Sequence, residues 1–242
     1  MTYVKRQVRG HGVFVIGTDT GVGKTEIAGA IVYALASRGV NVGVMKPIAT
    51  GCKSVQGHLV SADAAHLVRS ANVTDLPHLI TPYCYASLLA PYPASLIEKR
   101  AIKLGRLLAS YRKLAASHPF MVVEGIGGLL VPLTKRMDLL DLILRFDLPV
   151  LLVARAGLGT LNHILLTVRW GSMRGIRFLG VVLNHAKCSS GVSTLADQTN
   201  PKILSDRVSI PVIGPIPYFK YSKKRQEEMG RMGMELMEKI FF

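Results

Sequence analysis

The run Gly17-Thr18-Asp19-Thr20-Gly21-Val22-Gly23-Lys24-Thr25 constrains this chain more than any other feature. It follows a short apolar stretch at residues 13–16 and opens a segment of helical spacing at residues 24–37. A strand, a glycine-rich turn and a helix in that order make a phosphate-binding loop. Glycines let successive backbone N–H groups turn inward around phosphate oxygens. The helix N-terminus adds a favourable dipole. Lys24 offers a point charge to β- and γ-phosphates, and the Thr25 hydroxyl suits a magnesium ion. The loop is a variant, because the regular pattern has its first glycine where Thr18 stands, and Gly17 comes one residue earlier. Glu26 sits in the first helical turn, where a carboxylate is electrostatically favourable.

Apolar runs of strand length recur at residues 42–45, 120–123, 150–153, 178–183 and 212–216. They lack polar alternation, as strands buried on both faces do. Helix-like segments lie between them, at residues 62–69, 104–116, 139–146, 161–170 and 192–205, with a last one at 224–240. This order predicts a three-layer α/β fold with a mainly parallel central sheet flanked by helices, in a single domain over residues 1–242. A composition of 49% hydrophobic and 19% charged residues supports such a core. Residues 49–101 are the least regular part, punctuated by Gly51, Gly57, Pro77, Pro82, Pro91 and Pro93. Loops of that kind often carry function.

Several classes are disfavoured. The most apolar stretch, residues 148–154, stops at Arg155 and is far too short to cross a bilayer. The basic start (Lys5, Arg6, Arg9) leads only into the short run at 13–16, which is no signal-peptide core. The expectation is a cytoplasmic protein with no membrane partner. Cys52, Cys84 and Cys188 form no CxxC pair, so reduced thiols are expected rather than a disulfide framework or a zinc site. The net charge of +15 raises nucleic acid as a partner, but no nucleic-acid motif accompanies it and none is expected. The basic residues of 98–113, from Lys99 to Lys113, fall at helical spacings and read as a solvated helix face.

A nucleotide site needs carboxylates. Glu124 ends the apolar run 120–123 and begins Glu-Gly-Ile-Gly-Gly. In open α/β sheets ligands bind beyond the carboxyl ends of the strands, so Glu124 points toward the phosphate loop. Lys46 closes the run 42–45 and faces the same crevice, and Pro47 keeps a helix from starting there. Asp63 alone reads as a residue near a helix N-terminus. Asp138, Asp141 and Asp147 look solvated, and Asp19 holds the turn of its own loop.

Taken together, GTDTGVGKT (residues 17–25), MKPIATG (45–51), SADA (61–64), VEGIGG (123–128), ARAGLGTLNH (154–163), VLNH (182–185) and GPIPY (214–218) resemble the dethiobiotin synthetase family, in its order and over nearly the whole chain. The resemblance implies a homodimer that uses ATP and Mg2+ to close a cyclic urea on 7,8-diaminononanoate with CO2. It implies Lys24 and Lys46 as catalytic residues and Thr25, Asp63 and Glu124 as the magnesium set. ATP would meet Thr20, Gly21, Val22, Gly23, Lys24, Thr25, Glu26, Glu124, Gly125, Ile126 and Gly127. The base would meet Asn184, His185, Pro217, Tyr218 and Phe219, with Asn184 as its reader. Thr50, Gly159 and Asn162 would contact substrate, the last two partly across the dimer. The sequence departs from the family around Ala90-Pro91-Tyr92, which keeps the proline but not the flanking serine and histidine, and in its basic tail.

Two other readings share the core. An amidating ligase of the cobyrinic acid type normally carries a glutaminase domain, for which this chain is too short. A partitioning-type ATPase switch that binds DNA or membrane has a signature lysine early in its loop, where Asp19 stands here. A terminal amphipathic anchor would favour that switch, and the tail from residue 224 is the segment to inspect.

Overall fold

A computed structural model describes residues 12–185, 194–218 and 225–241. The chain opens with β1 (Gly12–Gly17), the glycine loop and α1 (Lys24–Ala36). Next come β2 (Val42–Met45), β3 (Ile48–Ala49), a hairpin of β4 (Lys53–Val55) and β5 (His58–Val60), and α2 (Ala62–Ala71). A short α3 (Pro77–Ile80), β6 (Tyr83–Cys84), α4 (Pro91–Ile97) and α5 (Leu104–Ser117) complete the irregular half. The rest alternates regularly through β7 (Phe120–Glu124), α6 (Leu139–Phe146), β8 (Val150–Arg155), α7 (Thr160–Met173), β9 (Phe178–Asn184), α8 (Leu195–Ser205), β10 (Val212–Ile216) and α9 (Arg225–Phe241).

Among the described residues the main sheet has the order β10-β9-β8-β1-β7-β2, and every pairing in it is parallel. β1, β2 and β7 are buried along their whole length, as their unbroken apolar runs require, and the edge strand β10 is partly exposed. β1 is central, with Val15 opposite both Glu124 of β7 and Leu151 of β8. This order sets the loop after β1 beside the acid that ends β7, and sets β2 on the far side of β7.

Local chemistry fixes the helix ends. Ser61 caps α2 by accepting the Ala64 N–H at 3.2 Å, and Asn72 ends the helix in a left-handed conformation. Asp138 and Asp141, expected to be solvated, instead form a reciprocal capping box on α6. Burial there raises the Asp138 carboxyl above the usual range. The tail helix α9 is no free amphipathic anchor. Met232, Leu236 and Met237 are buried in the main core, and Gly230 and Gly233 let α9 lie close on Tyr33 and Ala30 of α1.

One expectation fails at residues 98–103. The helix starts at Leu104, as the spacing predicts, with Lys103 as its N-cap, so the charges of 98–103 precede it. Arg100 is not on a solvated helical face: its guanidinium donates to the carbonyls of Pro82 and Cys84 at 3.1 and 3.3 Å and lies over the Tyr83 ring. Unpaired carbonyls in the loop around β6 need donors, and a long guanidinium reaches them.

Candidate active site

The carboxyl edge of the sheet gathers groups from four elements. Glu124 ends β7 with no exposed surface, and its Oε1 accepts the Thr25 hydroxyl at 2.8 Å from α1. Lys46, one residue past β2, donates from Nζ to the same Glu124 oxygen at 2.6 Å and to the Gly125 carbonyl at 3.1 Å. Its third partner is Asp63 of α2, at 2.9 Å. A buried ammonium is costly unless paired. Burial works against the Lys46 charge, but Glu124 and then Asp63 outweigh it and hold the amine above its ordinary range. Burial likewise works against the Asp63 charge, yet Lys46 and the Thr25 hydroxyl hold that carboxyl below the usual range. Glu124 Oε2 is buried with no hydrogen-bond partner among the described residues.

The glycine loop is built as a cradle. Gly21 and Gly23 take φ of 71° and 95°, and Gly23 leads into α1 with no side-chain cap over the helix N-terminus. Asp19 holds the turn by accepting the Thr20 N–H at 2.7 Å. Lys24 Nζ folds back on the Asp19 carbonyl at 3.0 Å. Burial first, and then the charge of Lys46, lower its amine to about 8. Asn184, at the end of β9, donates from Nδ2 to the Val22 carbonyl at 2.9 Å and so pins the loop. A Cβ on Gly23 would overlap that amide.

These groups line one cavity of about 690 Å³. Asn184, His185, Pro217 and Tyr218 wall one end, and Lys46, Thr50, Asp63 and Glu124 the other. Thr20, Gly21, Gly23, Lys24, Thr25 and Glu26 run between them, with Ile126 and Gly127 alongside. Val22 and Gly125 are off the wall and act through their carbonyls, on Asn184 and Lys46. Gly159 and Asn162 do not reach the cavity. They sit at the start of α7, Asn162 exposed, beside a fully exposed Leu158. Phe219 lies outside the described residues.

The cavity also takes in residues that the sequence reading did not name. His66 and Arg69 follow Asp63 along α2 at helical spacing, a signal available once Asp63 is placed. Leu88 and Met232 come from the irregular half and from α9, where nothing local marks them.

A family model described as an AAA domain matches residues 11–226. The chain is 37% identical over 214 residues to the ATP-dependent dethiobiotin synthetase BioD of Thermodesulfovibrio yellowstonii, covering 86% of this chain and 88% of that one. It is 47% identical over 174 residues to the enzyme of the same name from Anaeromyxobacter dehalogenans, covering 72% and 76%. This chain belongs to the ATP-dependent dethiobiotin synthetase family. The dethiobiotin synthetase from Bacillus licheniformis agrees, at 37% identity over 85% of each chain. Among solved structures, pNOB8 ParA bound to nonspecific DNA matches with a TM-score of 0.56 at 12% identity, over 96% of this chain and 98% of that one. The septum site-determining protein MinD of Pyrococcus horikoshii, complexed with Mg-ADP, matches at 0.55 and 13%, over 93% and 95%. At such identities these two show the fold alone. The fold of the family is thus the parallel-sheet nucleotide-binding fold that the sequence predicts.

Proposed function

We propose that the chain makes dethiobiotin from 7,8-diaminononanoate, CO2 and ATP, as one domain in a cytoplasmic homodimer. The observation that carries this reading is the Lys46 ammonium, seated between Asp63 and Glu124 in the same cavity as Lys24 and the phosphate cradle. One amine of the substrate takes up CO2 as a carbamate. The carbamate oxygen attacks the γ-phosphorus of ATP, and ADP leaves. The second amine then attacks the carbamoyl carbon of the mixed anhydride, phosphate departs, and the ring closes.

The residues divide this work. Backbone N–H groups from Gly21 to Thr25 hold the triphosphate, and Lys24 offsets charge on the transferring phosphoryl group. Lys46 faces the carbamate and the same phosphoryl oxygens, and orients them for in-line attack. Asn184, already fixed by Val22, presents its remaining amide oxygen to the base, with Pro217 and Tyr218 beside it. Among the described residues no side chain is assigned as a general base, and the substrate amines deliver their own protons.

The donor set suits magnesium: the Thr25 hydroxyl, Asp63, and a Glu124 carboxylate with one buried oxygen unpartnered. These three would hold the ion, which when bound neutralises charge on the β- and γ-phosphate oxygens. The position of Gly159 and Asn162 beside the exposed Leu158 supports a second protomer completing the substrate end. Among the described residues no helix is long and apolar enough to cross a membrane.

The test is phosphate release from Mg-ATP with and without 7,8-diaminononanoate and bicarbonate, with product identification by mass. Release that needs both, with a cyclic urea product, supports the proposal. ATP turnover indifferent to the diamine refutes it.

A further inference from the structure

Cys52 and Cys84 are widely separated in sequence, but the fold brings them together. β3 and β6 pair in parallel with Ala49 opposite Cys84. The pairing continues past the strands: Tyr85 N–H donates to the Ala49 carbonyl at 2.9 Å, Cys52 N–H to the Tyr85 carbonyl at 2.9 Å, and Gly51 N–H to the Ser87 carbonyl at 3.0 Å. Cys52 therefore runs beside the chain that carries Cys84. The two thiols lie within hydrogen-bonding reach of each other, the close approach that a disulfide requires. The two cysteines pack with Ala49 and Leu59 in a small buried cluster of their own, apart from the main core.

The two thiols are not equivalent. The Cys52 thiol hydrogen-bonds to Cys84, which pushes Cys52 up, and burial adds to the effect. The same bond lowers Cys84. Burial opposes this, while the Arg100 guanidinium and the Ser61 backbone assist it. The Arg100 guanidinium donates to the Cys84 carbonyl at 3.3 Å, so positive charge sits on the Cys84 side and favours that sulfur as the nucleophile, with Cys52 placed to attack it once oxidised.

We propose that Cys52 and Cys84 form a modification site for two-electron oxidants of the hydroperoxide class, which convert them to an intramolecular disulfide. The Cys84 sulfur attacks the peroxide oxygen, the O–O bond breaks, and a sulfenic acid and water result. The Cys52 sulfur then attacks the Cys84 sulfur, the S–O bond breaks, and a second water leaves with the Cys52 proton. Two thiols and one hydrogen peroxide give one disulfide and two waters.

The bond would act on the substrate end of the cavity. Thr50 and Gly51 directly precede Cys52, and Ser61, whose backbone faces Cys84, caps the helix that presents Asp63 to Lys46. Drawing the sulfurs to about 2.05 Å shifts both segments. This consequence for turnover rests on the function proposed above, whereas the crosslink does not.

The experiment uses the full chain with Cys188→Ser, so that only this pair remains, treated with hydrogen peroxide under native conditions, alkylated and mapped without reduction. The expected result is a mass lower by two hydrogens, a peptide containing Cys52 joined to one containing Cys84, and reversal by dithiothreitol. Full alkylation of both thiols after peroxide, or Cys84 trapped as a dimedone adduct with no crosslink, overturns the proposal. In the turnover assay the crosslinked protein should lose at least fivefold in kcat and recover with dithiothreitol, while Cys52→Ala/Cys84→Ala is unmoved by peroxide. Unchanged kcat in the crosslinked protein overturns the functional half. Absence of any diamine-dependent turnover before oxidation refutes the function instead, and leaves the crosslink result standing.

Discussion

Replacing Glu124 by glutamine removes one charge from a buried pair and keeps the shape. The geometry sets the scale. At the 2.6 Å between Lys46 Nζ and Glu124 Oε1, an effective dielectric constant near 20 gives a gross attraction of roughly 6 kcal/mol. The loss is smaller, because the glutamine carbonyl still accepts a hydrogen bond and Asp63 still pairs with Lys46 at 2.9 Å. Asp63 is 46% exposed, so solvent screens its share, while the Lys46 side chain is only 3% exposed. An expected destabilisation of about 3–5 kcal/mol follows, the usual cost of stranding one partner of a buried pair. Removing the stranded charge as well, in Glu124→Gln/Lys46→Met, should return at least about 2 kcal/mol of that loss. Urea denaturation of the wild type, both single variants and the double variant closes the cycle. If the two single losses simply add in the double variant to within about 0.5 kcal/mol, Lys46 and Glu124 are not coupled and the account of this site is wrong.

Lys24, lowered to about 8 in the folded chain against 10.5 ordinarily, gives a pH signature. Between those values the unfolded chain binds the extra proton, so stability rises with pH through that window by up to about 3 kcal/mol. Urea midpoints at either end should show the rise in wild type and not in Lys24→Met. Gly23→Ala forces a Cβ into a residue at φ 95° and against the Asn184 amide, a backbone cost of about 1–2 kcal/mol before any clash. Calorimetry should find nucleotide affinity at least tenfold weaker. Gly233→Leu drives a side chain into the Ala30 backbone across the contact of α1 with α9. A loss of about 1–3 kcal/mol is expected, read as a Tm lower by about 2–4 °C per kcal/mol.

The parts of the fold legible in the sequence were those whose burial is symmetrical. β1, β2, β7 and most of β8 and β9 are covered on both faces, so their apolar runs are unbroken and hard to mistake, while the edge strand β10 is only partly buried. The pairing of β3 with β6 was hidden, since each strand is two residues long and its partner lies far along the chain. The charges at 98–103 misled for a related reason: helical spacing says nothing of the Pro82 and Cys84 carbonyls that claim Arg100. In the site, Lys24, Thr25 and Glu124 followed from strand ends and glycines. Asp63 did not, because its place depends on where α2 lies against Lys46, and only the family resemblance singled it out. Met232 had no signal, since only the packing of α9 on α1 brings that helix to the cavity.

The position of β1 has a consequence for how the molecule comes into being. Its partners in the sheet, residues from Met121 in β7 and from Val150 in β8, lie more than a hundred positions further along the chain. On a ribosome adding about 5–20 residues per second, the glycine loop is therefore made several seconds before the strand that will stand beside it. The end of β1 is fixed from both sides, Val15 opposite Glu124 of β7 and Gly17 opposite Val153 of β8, so the phosphate cradle is held only once both later strands are in place. Such long closures are slow. Refolding followed by a fluorescent nucleotide should show binding appear together with sheet formation rather than ahead of it.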